Sequence, residues 1–330
     1  MYRAEFKLET ITPLFMRGAD QSKAEFRPAS VKGVMRWWFR ALAGNYFGDD
    51  IEALKNAECR VFGCAGTGRS RVIVDVDAPE VNLERRPLPM VWNKKYGGRI
   101  SANAIPEGST FKVTLKSQNL KYLELASYSL LALLYLGGLG FRSNRGAGSL
   151  RLMDLEGDIE SELGPSIPKT KDELRELPGK LRGGVEQVLS QLNVQSSKSS
   201  NRGCLPYSSL RDNCFGLYLW GERNSRDKVY YSDGNSNLLD EFEREFKNKT
   251  NHSSKFGYKD YVFGGAKPRR ASPMRVGVVY LDGKYRLRIS TFETSHYHPK
   301  IRTVYWSNLF KFLQNIQAER VYPNPKGVSQ

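Results

Sequence analysis

Between Leu136 and Ser149 the chain packs five glycines and two arginines, Arg142 and Arg145, with no acidic residue. Glycine lets a backbone turn tightly and expose its N–H groups, and arginine supplies a permanent positive charge. That chemistry suits a polyanion lying along the chain, with Gly138, Gly140, Gly146 and Gly148 shaping the cradle. Neither common nucleotide pattern fits. A Walker loop needs a lysine that is absent, and a dinucleotide fingerprint begun at Gly138 would put its third glycine on Ser143. The segment reads as a cradle for a phosphate backbone. The bland alternative is a glycine-rich turn with solvated arginines.

A second segment mirrors the first. Gly264 to Pro273 again sets small residues and three cations, Lys267, Arg269 and Arg270, just before a strand. From Gly264 to Arg288 there are seven basic residues, Arg275 among them, and one acid, Asp282. A helix beginning near Pro28 carries Lys32, Arg36 and Arg40 at i, i+4 and i+8. At the helical repeat these sit within an arc of about 80°, while Val31, Val34, Trp38 and Leu42 take the other side. A solvated face would alternate bases with acids, yet no acid occurs between Arg27 and Gly48, so the ridge reads as functional. Trp37 beside it reads as a packed aromatic, or as a stacking surface for a base. Arg17-Gly18, after the first strand, is a further candidate basic turn.

Catalytic patterns are thin. Metal-assisted phosphodiester cleavage wants clustered carboxylates, and the basic segments hold almost none. His296 and His298 would share a strand face, with Glu293 as the nearby acid, and could act as general acid and base; a structural or loop role is the favoured reading. Cys59 and Cys64 are spaced C-x4-C, and Cys204 and Cys214 have nine residues between them. Neither has the C-x2-C spacing of a zinc ribbon, and buried free thiols are expected. No catalytic residue, cofactor or metal is assigned.

Lys+Arg 51 against Asp+Glu 35 gives a formal net charge of +16. Such an excess favours nucleic acid or an anionic membrane. The longest apolar stretch, Leu125 to Leu136, falls short of the ~20 residues a membrane span needs, and charges interrupt the start where a signal peptide would be apolar. A soluble, cytoplasmic protein with no membrane partner is expected.

The elements that must carry these residues follow from periodicity. Residues 2–15 alternate as a strand; a helix runs from Pro28 to about Tyr46; strands follow at 71–76 and 111–115 around an insertion at 79–108. An apolar helix over 121–136, the glycine loop and a strand at 149–155 complete a βαββαβ order, that of the ferredoxin-like or RNA-recognition fold. An acidic helical connection and a Ser-rich linker come next. A strand at 214–220, a helix at 238–247, a hairpin turning at Asp282-Gly283 and an amphipathic helix over 302–319 give βαββα, a second copy lacking one strand. The predicted fold class is α+β, two tandem ferredoxin-like domains with the second degenerate. The predicted divisions are 1–157 with its insertion, 158–202 as connection and linker, and 203–330.

Three of these segments together resemble the RAMP superfamily of CRISPR proteins. They are the strand Phe6 to Phe15, the helix Arg27 to Arg40 with its paired tryptophans, and the loop ending Arg145-Gly146-Ala147-Gly148-Ser149. With the downstream Pro-Arg-Arg-Ala-Ser-Pro at 268–273, the chain is most similar to the largest non-catalytic RAMP subunit of type III-B (Cmr) effector complexes. The resemblance implies tandem ferredoxin-like domains in an assembly that holds a guide RNA (crRNA) and cleaves complementary target RNA in antiviral defence. It implies that other RAMP subunits carry the cleavage, while this one sits at the guide's 3′ region and helps capture target. By motif position the glycine-loop role falls on Gly138, Gly140, Arg145, Gly146 and Gly148, and the basic-helix role on Lys32, Arg36 and Arg40. The competing reading is a metal-independent RAMP endoribonuclease that processes guide precursors through His296, Tyr297 and His298.

Overall fold

A computed structural model gives the three-dimensional structure. It describes residues 1–330 except 21, 22, 24, 67, 81, 94–97, 198–202, 226, 228, 232–236, 251–260, 264, 267, 268, 271, 297–303 and 324–330, with backbone alone at 91–93, 261, 265, 266, 269 and 270.

Strand β1 (Tyr2–Thr10) buries Ala4, Phe6, Leu8 and Thr10 and turns the intervening residues outward, as its alternation requires. Helix α1 (Pro28–Phe47) opens on a proline, whose fixed φ suits the first helical position, and stops at Gly48. A second helix, α2 (Ile51–Phe62), follows at once, capped by the Asp50 carboxylate on the Ala53 N–H. Sequence periodicity did not anticipate it. The strands are β2 (Val72–Asp77), β3 (Glu84–Asn93), β4 (Gly98–Ala104) and β5 (Thr110–Ser117), so the insertion at 79–108 is a β3–β4 hairpin. Helix α3 (Leu120–Leu136), apolar all round and almost wholly buried, leads through the glycine loop to β6 (Leu150–Gly157).

The connection holds a short α4 (Glu160–Leu163) and a long α5 (Lys171–Gln191), which starts on a reciprocal Thr170–Glu173 capping box. The second half runs β7 (Phe215–Asn224), α6 (Leu238–Thr250), a two-residue ladder of β8 (Gly265–Ala266) with β9 (Arg269–Arg270), the hairpin β10 (Met274–Leu281) and β11 (Lys284–Phe292), α7 (Trp306–Asn315) and β12 (Glu319–Tyr322).

The sheets are ordered β2-β5-β1-β6 and β10-β11-β7-β12, all pairs antiparallel. Each is the ferredoxin-like order, second, third, first and fourth of its own strands. The strand expected to be missing from the second copy is present. Helix α7 ends at Asn315, Gln317 turns the chain with φ +56°, and β12 pairs with β7. At four residues β12 is too short for its alternation to register against the helix before it.

The halves share a core. Phe215, Leu217 and Leu219 of β7 pack into the cluster of α1, α3 and α5, whereas Tyr218 faces Phe242, Leu309 and Phe312 of α6 and α7. The second sheet is thus covered on both faces. The first keeps one face in solvent, laced by cross-strand pairs such as Lys112–Glu5 at 3.1 Å and Lys116–Asp75 at 2.7 Å.

Candidate nucleic-acid interface

Where β1 runs out, the chain continues through Phe15, Met16, Arg17 and Gly18 along one wall of a cleft of about 850 Å³. Ser30, Gly33 and Val34 of α1 form a second wall, the β3–β4 hairpin a third through Leu88 and Ile100, and the glycine loop the last through Leu139, Gly140 and Phe141. Four stretches far apart in sequence meet here because β1 and β6 are paired, which places their extensions, 11–15 and the glycine loop, side by side.

The glycine loop is stitched down by its own backbone. Leu139 N–H donates to the Gly148 carbonyl at 2.9 Å, Gly148 N–H to Pro13 at 2.9 Å and Phe141 N–H to Phe15 at 2.7 Å. These donors are turned inward, so the loop is not the open N–H cradle expected from sequence. The glycines serve closeness instead. Gly148 has φ +62°, and an added Cβ would overlap the Leu139 carbonyl. Cβ atoms at Gly138, Gly140 and Gly146 would press on the Gly148 carbonyl (3.2 Å), the Phe15 carbonyl (2.7 Å) and the Leu239 side chain (2.5 Å).

What the loop presents outward is Phe141, 58% exposed, and Arg142. Arg142 holds φ +64°, a left-handed conformation that a non-glycine residue adopts at about 1–2 kcal/mol. Its guanidinium is half-buried beside the Phe141 ring, 5.4 Å from the centroid, and burial pulls its pKa below the usual arginine range. Among the described residues no carboxylate pairs with it. Lys32, on the turn of α1 next to Gly33, is likewise partly buried and has no ion pair among the described residues; burial, and then the charge of Arg36, lower its pKa. Arg17 lines the cleft and also lacks an ion pair among the described residues. A desolvated cation without a counter-ion is a place an anion stabilises.

Replacing Arg142 with asparagine, which tolerates the left-handed region, is expected to raise stability by up to about 1 kcal/mol while weakening binding of a polyanion. Urea denaturation and RNA titration of the same variant check both signs.

The other sequence candidates are engaged elsewhere. Arg36 donates from Nε to Glu58 at 2.5 Å and from Nη1 to the Gly63 carbonyl at 2.8 Å, and Arg40 donates to the other Glu58 oxygen at 2.7 Å. The ridge does have an acid facing it, supplied by α2. Arg145 donates to the Phe263 carbonyl at 3.0 Å, and Arg275 lies 3.7 Å over the Trp37 ring and donates to Asn144 Oδ1 at 2.7 Å. Both hold the loop against the second half, and Trp37 is a packed aromatic. Lys267 lies outside the described residues, as do the side chains of Arg269 and Arg270. His296 is exposed; Tyr297 and His298 lie outside the described residues, and burial raises the Glu293 pKa. The cysteines are not free thiols: Cys59 pairs with Cys64 and Cys204 with Cys214 in disulfides, because the turn at Gly63 and the 204–214 bend bring their Cα atoms to 5.1 and 5.5 Å.

Sequence reasoning passed over Arg288. It is wholly buried on β11, donating from Nη2 to the Gly137 carbonyl at 2.6 Å and from Nη1 to Ser290 Oγ at 3.3 Å; that hydroxyl donates to the Leu136 carbonyl at 2.9 Å. These are end carbonyls of α3, which have no partner within the helix. Gly277 leaves the space its side chain occupies, and burial, with Arg275 nearby, pulls its pKa down to about 9. The point where the glycine loop begins is therefore fixed from the second half.

Residues 7–151 match the RAMP superfamily and residues 212–323 match the family described as Cmr1, C-terminal domain. The CRISPR system Cmr subunit Cmr1-1 of Pyrococcus furiosus is 32% identical over 335 residues, spanning 94% of each chain. The chain belongs to the Cmr1 family of the RAMP superfamily. A shorter relative from the same organism, Cmr subunit Cmr1-2, is 43% identical over 47% of this chain and 97% of its own. The apo crystal structure of Cmr1 from Pyrococcus furiosus superposes with a TM-score of 0.71 at 27% identity, covering 98% of this chain and 99% of that one. A chain in the cryo-EM structure of the type III-B Cmr-beta complex bound to cognate target RNA shares the fold, with a TM-score of 0.57 at 15% identity over 96% of this chain and 99% of its own. Among the described residues of this Cmr1-family chain, no helix is long and apolar enough to cross a membrane.

Proposed function

We propose that this chain is a non-catalytic, RNA-holding subunit of a type III-B CRISPR effector complex. In this reading it engages the guide's 3′ region and helps capture target RNA, with other RAMP subunits as neighbours. The cleft between the glycine loop, α1 and the hairpin is the contact surface. The observation that carries it is that Arg17, which lines the cleft, and Lys32 and Arg142, which adjoin the lining residues Gly33 and Phe141, have no ion pair among the described residues, while Arg36 and Arg40 share the Glu58 carboxylate. Family membership and the formal charge of +16 support the same reading.

Each phosphate a cation neutralises contributes about 0.7 to the log–log salt dependence of single-strand binding. Alanine at Arg17, Lys32 and Arg142 together is expected to flatten that slope by about 2 and to lower affinity about tenfold or more at low salt. Fluorescence anisotropy of a labelled single-stranded RNA across a salt series checks it. An unchanged slope removes the assignment. Phosphate contacts position without reading sequence, so the isolated chain should show little sequence preference.

A further inference from the structure

We propose that the cleft receives one unstacked nucleobase of the bound strand, held between the Phe141 ring and the bare backbone of α1 at Gly33. This rests on the RNA reading and deepens it. Helix interiors disfavour glycine by about 1 kcal/mol relative to alanine, so a glycine there calls for a reason. Gly44 of the same helix has one, since an added Cβ would stand 2.9 Å from the Tyr207 ring. Gly33 has no such neighbour: it faces the cleft, and a Cβ there meets nothing within 4 Å. What its missing side chain spares is the cleft itself.

The opposite wall supplies the chemistry. Phe141 is 58% exposed, and its backbone is fixed by the hydrogen bond to Phe15, so its ring is displayed rather than buried. Ile100, 40% exposed on the hairpin, adds an apolar rim. Aromatic faces bind bases of any identity by stacking, and a cation beside the ring takes the adjoining phosphate. Arg142 follows Phe141 directly, and Arg17 lines the same cleft on the neighbouring segment that bridges to Phe141 through Phe15. An exposed aromatic ring beside cations that have no ion pair among the described residues fits a base with its phosphate better than an aliphatic ligand. The cleft volume also lies in the range of small-ligand sites, about 300–1,000 Å³.

The test uses an oligouridylate carrying a single 2-aminopurine, a purine that stacks better than its neighbours and loses emission when it does. Wild-type protein is expected to quench it. Phe141→Leu removes the ring at an exposed position, and Gly33→Leu fills open space on a helix; each should restore emission and weaken binding about tenfold without lowering the thermal midpoint. In neither variant should the salt slope change. If both variants quench and bind as wild type while the Arg17, Lys32 and Arg142 alanine variant loses affinity, the base site is wrong and the RNA reading stands. If the charge variant also binds as wild type, both are wrong.

Discussion

Gly148→Ala is expected to destabilise the chain by about 4 kcal/mol, lowering the thermal midpoint by about 6 °C for a protein of this length. Two independent effects add. The residue sits at φ +62°, where alanine is disfavoured by about 1–2 kcal/mol. Its new methyl would also overlap the Leu139 carbonyl, a backbone atom that cannot rotate away. Relief requires opening the Leu139–Gly148 and Gly148–Pro13 hydrogen bonds, each worth about 1 kcal/mol. The same substitution at Gly33 should have the opposite sign, a gain of up to about 1 kcal/mol, since the helix improves and nothing is struck. Differential scanning calorimetry of both variants decides whether the loop glycines serve packing. Equal, small shifts would show that they do not.

Glu58→Gln is expected to cost about 3 kcal/mol, the low end for breaking a buried pair, because both arginines still reach solvent. The Glu58 side chain is 6% exposed and accepts from Arg36 at 2.5 Å and Arg40 at 2.7 Å, joining α2 to α1. Arg36→Ala should lose a comparable amount of stability and leave RNA affinity in the folded protein unchanged. A stable Arg36→Ala variant with reduced RNA binding would return the helix ridge to the interface. Denaturant titration beside RNA titration separates the outcomes.

The contrast between Arg36 and Arg142 shows what a single sequence reveals. Periodicity placed Lys32, Arg36 and Arg40 on one face, and the structure agrees. The acid that pairs with two of them comes from α2, whose buried Leu54, Ala57, Val61 and Phe62 do recur at helical spacing but follow so directly on α1 that the segment was not separated from it. Spacing within one helix carries no information about charge on its neighbour. Arg142 was visible as a cation in a glycine loop, but its left-handed backbone and half-buried, unpaired state depend on how that loop packs against residues 13–15. The alternation of β1 and the Asp282-Gly283 turn were local signals; the turn stands where expected, while the strand ends at Thr10 rather than running to residue 15. Four-residue β12 and the β3–β4 hairpin were not legible, the first for its length and the second because Pro87, Pro89 and a register shift break its alternation. Arg288 was one basic residue among seven until the fold set it against the end of α3.

RNA-recognition folds present their open sheet face to the strand, and this chain has such a face on its first sheet, carrying Lys7, Lys112 and Lys116 beside Glu5 and Asp75. In the proposed arrangement RNA lies instead in the cleft beyond the end of β1. Ultraviolet crosslinking of 4-thiouridine-substituted single-stranded RNA to the full chain, with adducts located by mass spectrometry, tests it most directly. Adducts are expected in peptides holding Phe141 and Arg142, Arg17, and Lys32 to Val34. Adducts concentrated on β1, β5 and β6, around Lys7 and Lys112, would place the RNA on the open sheet face and rule out the cleft.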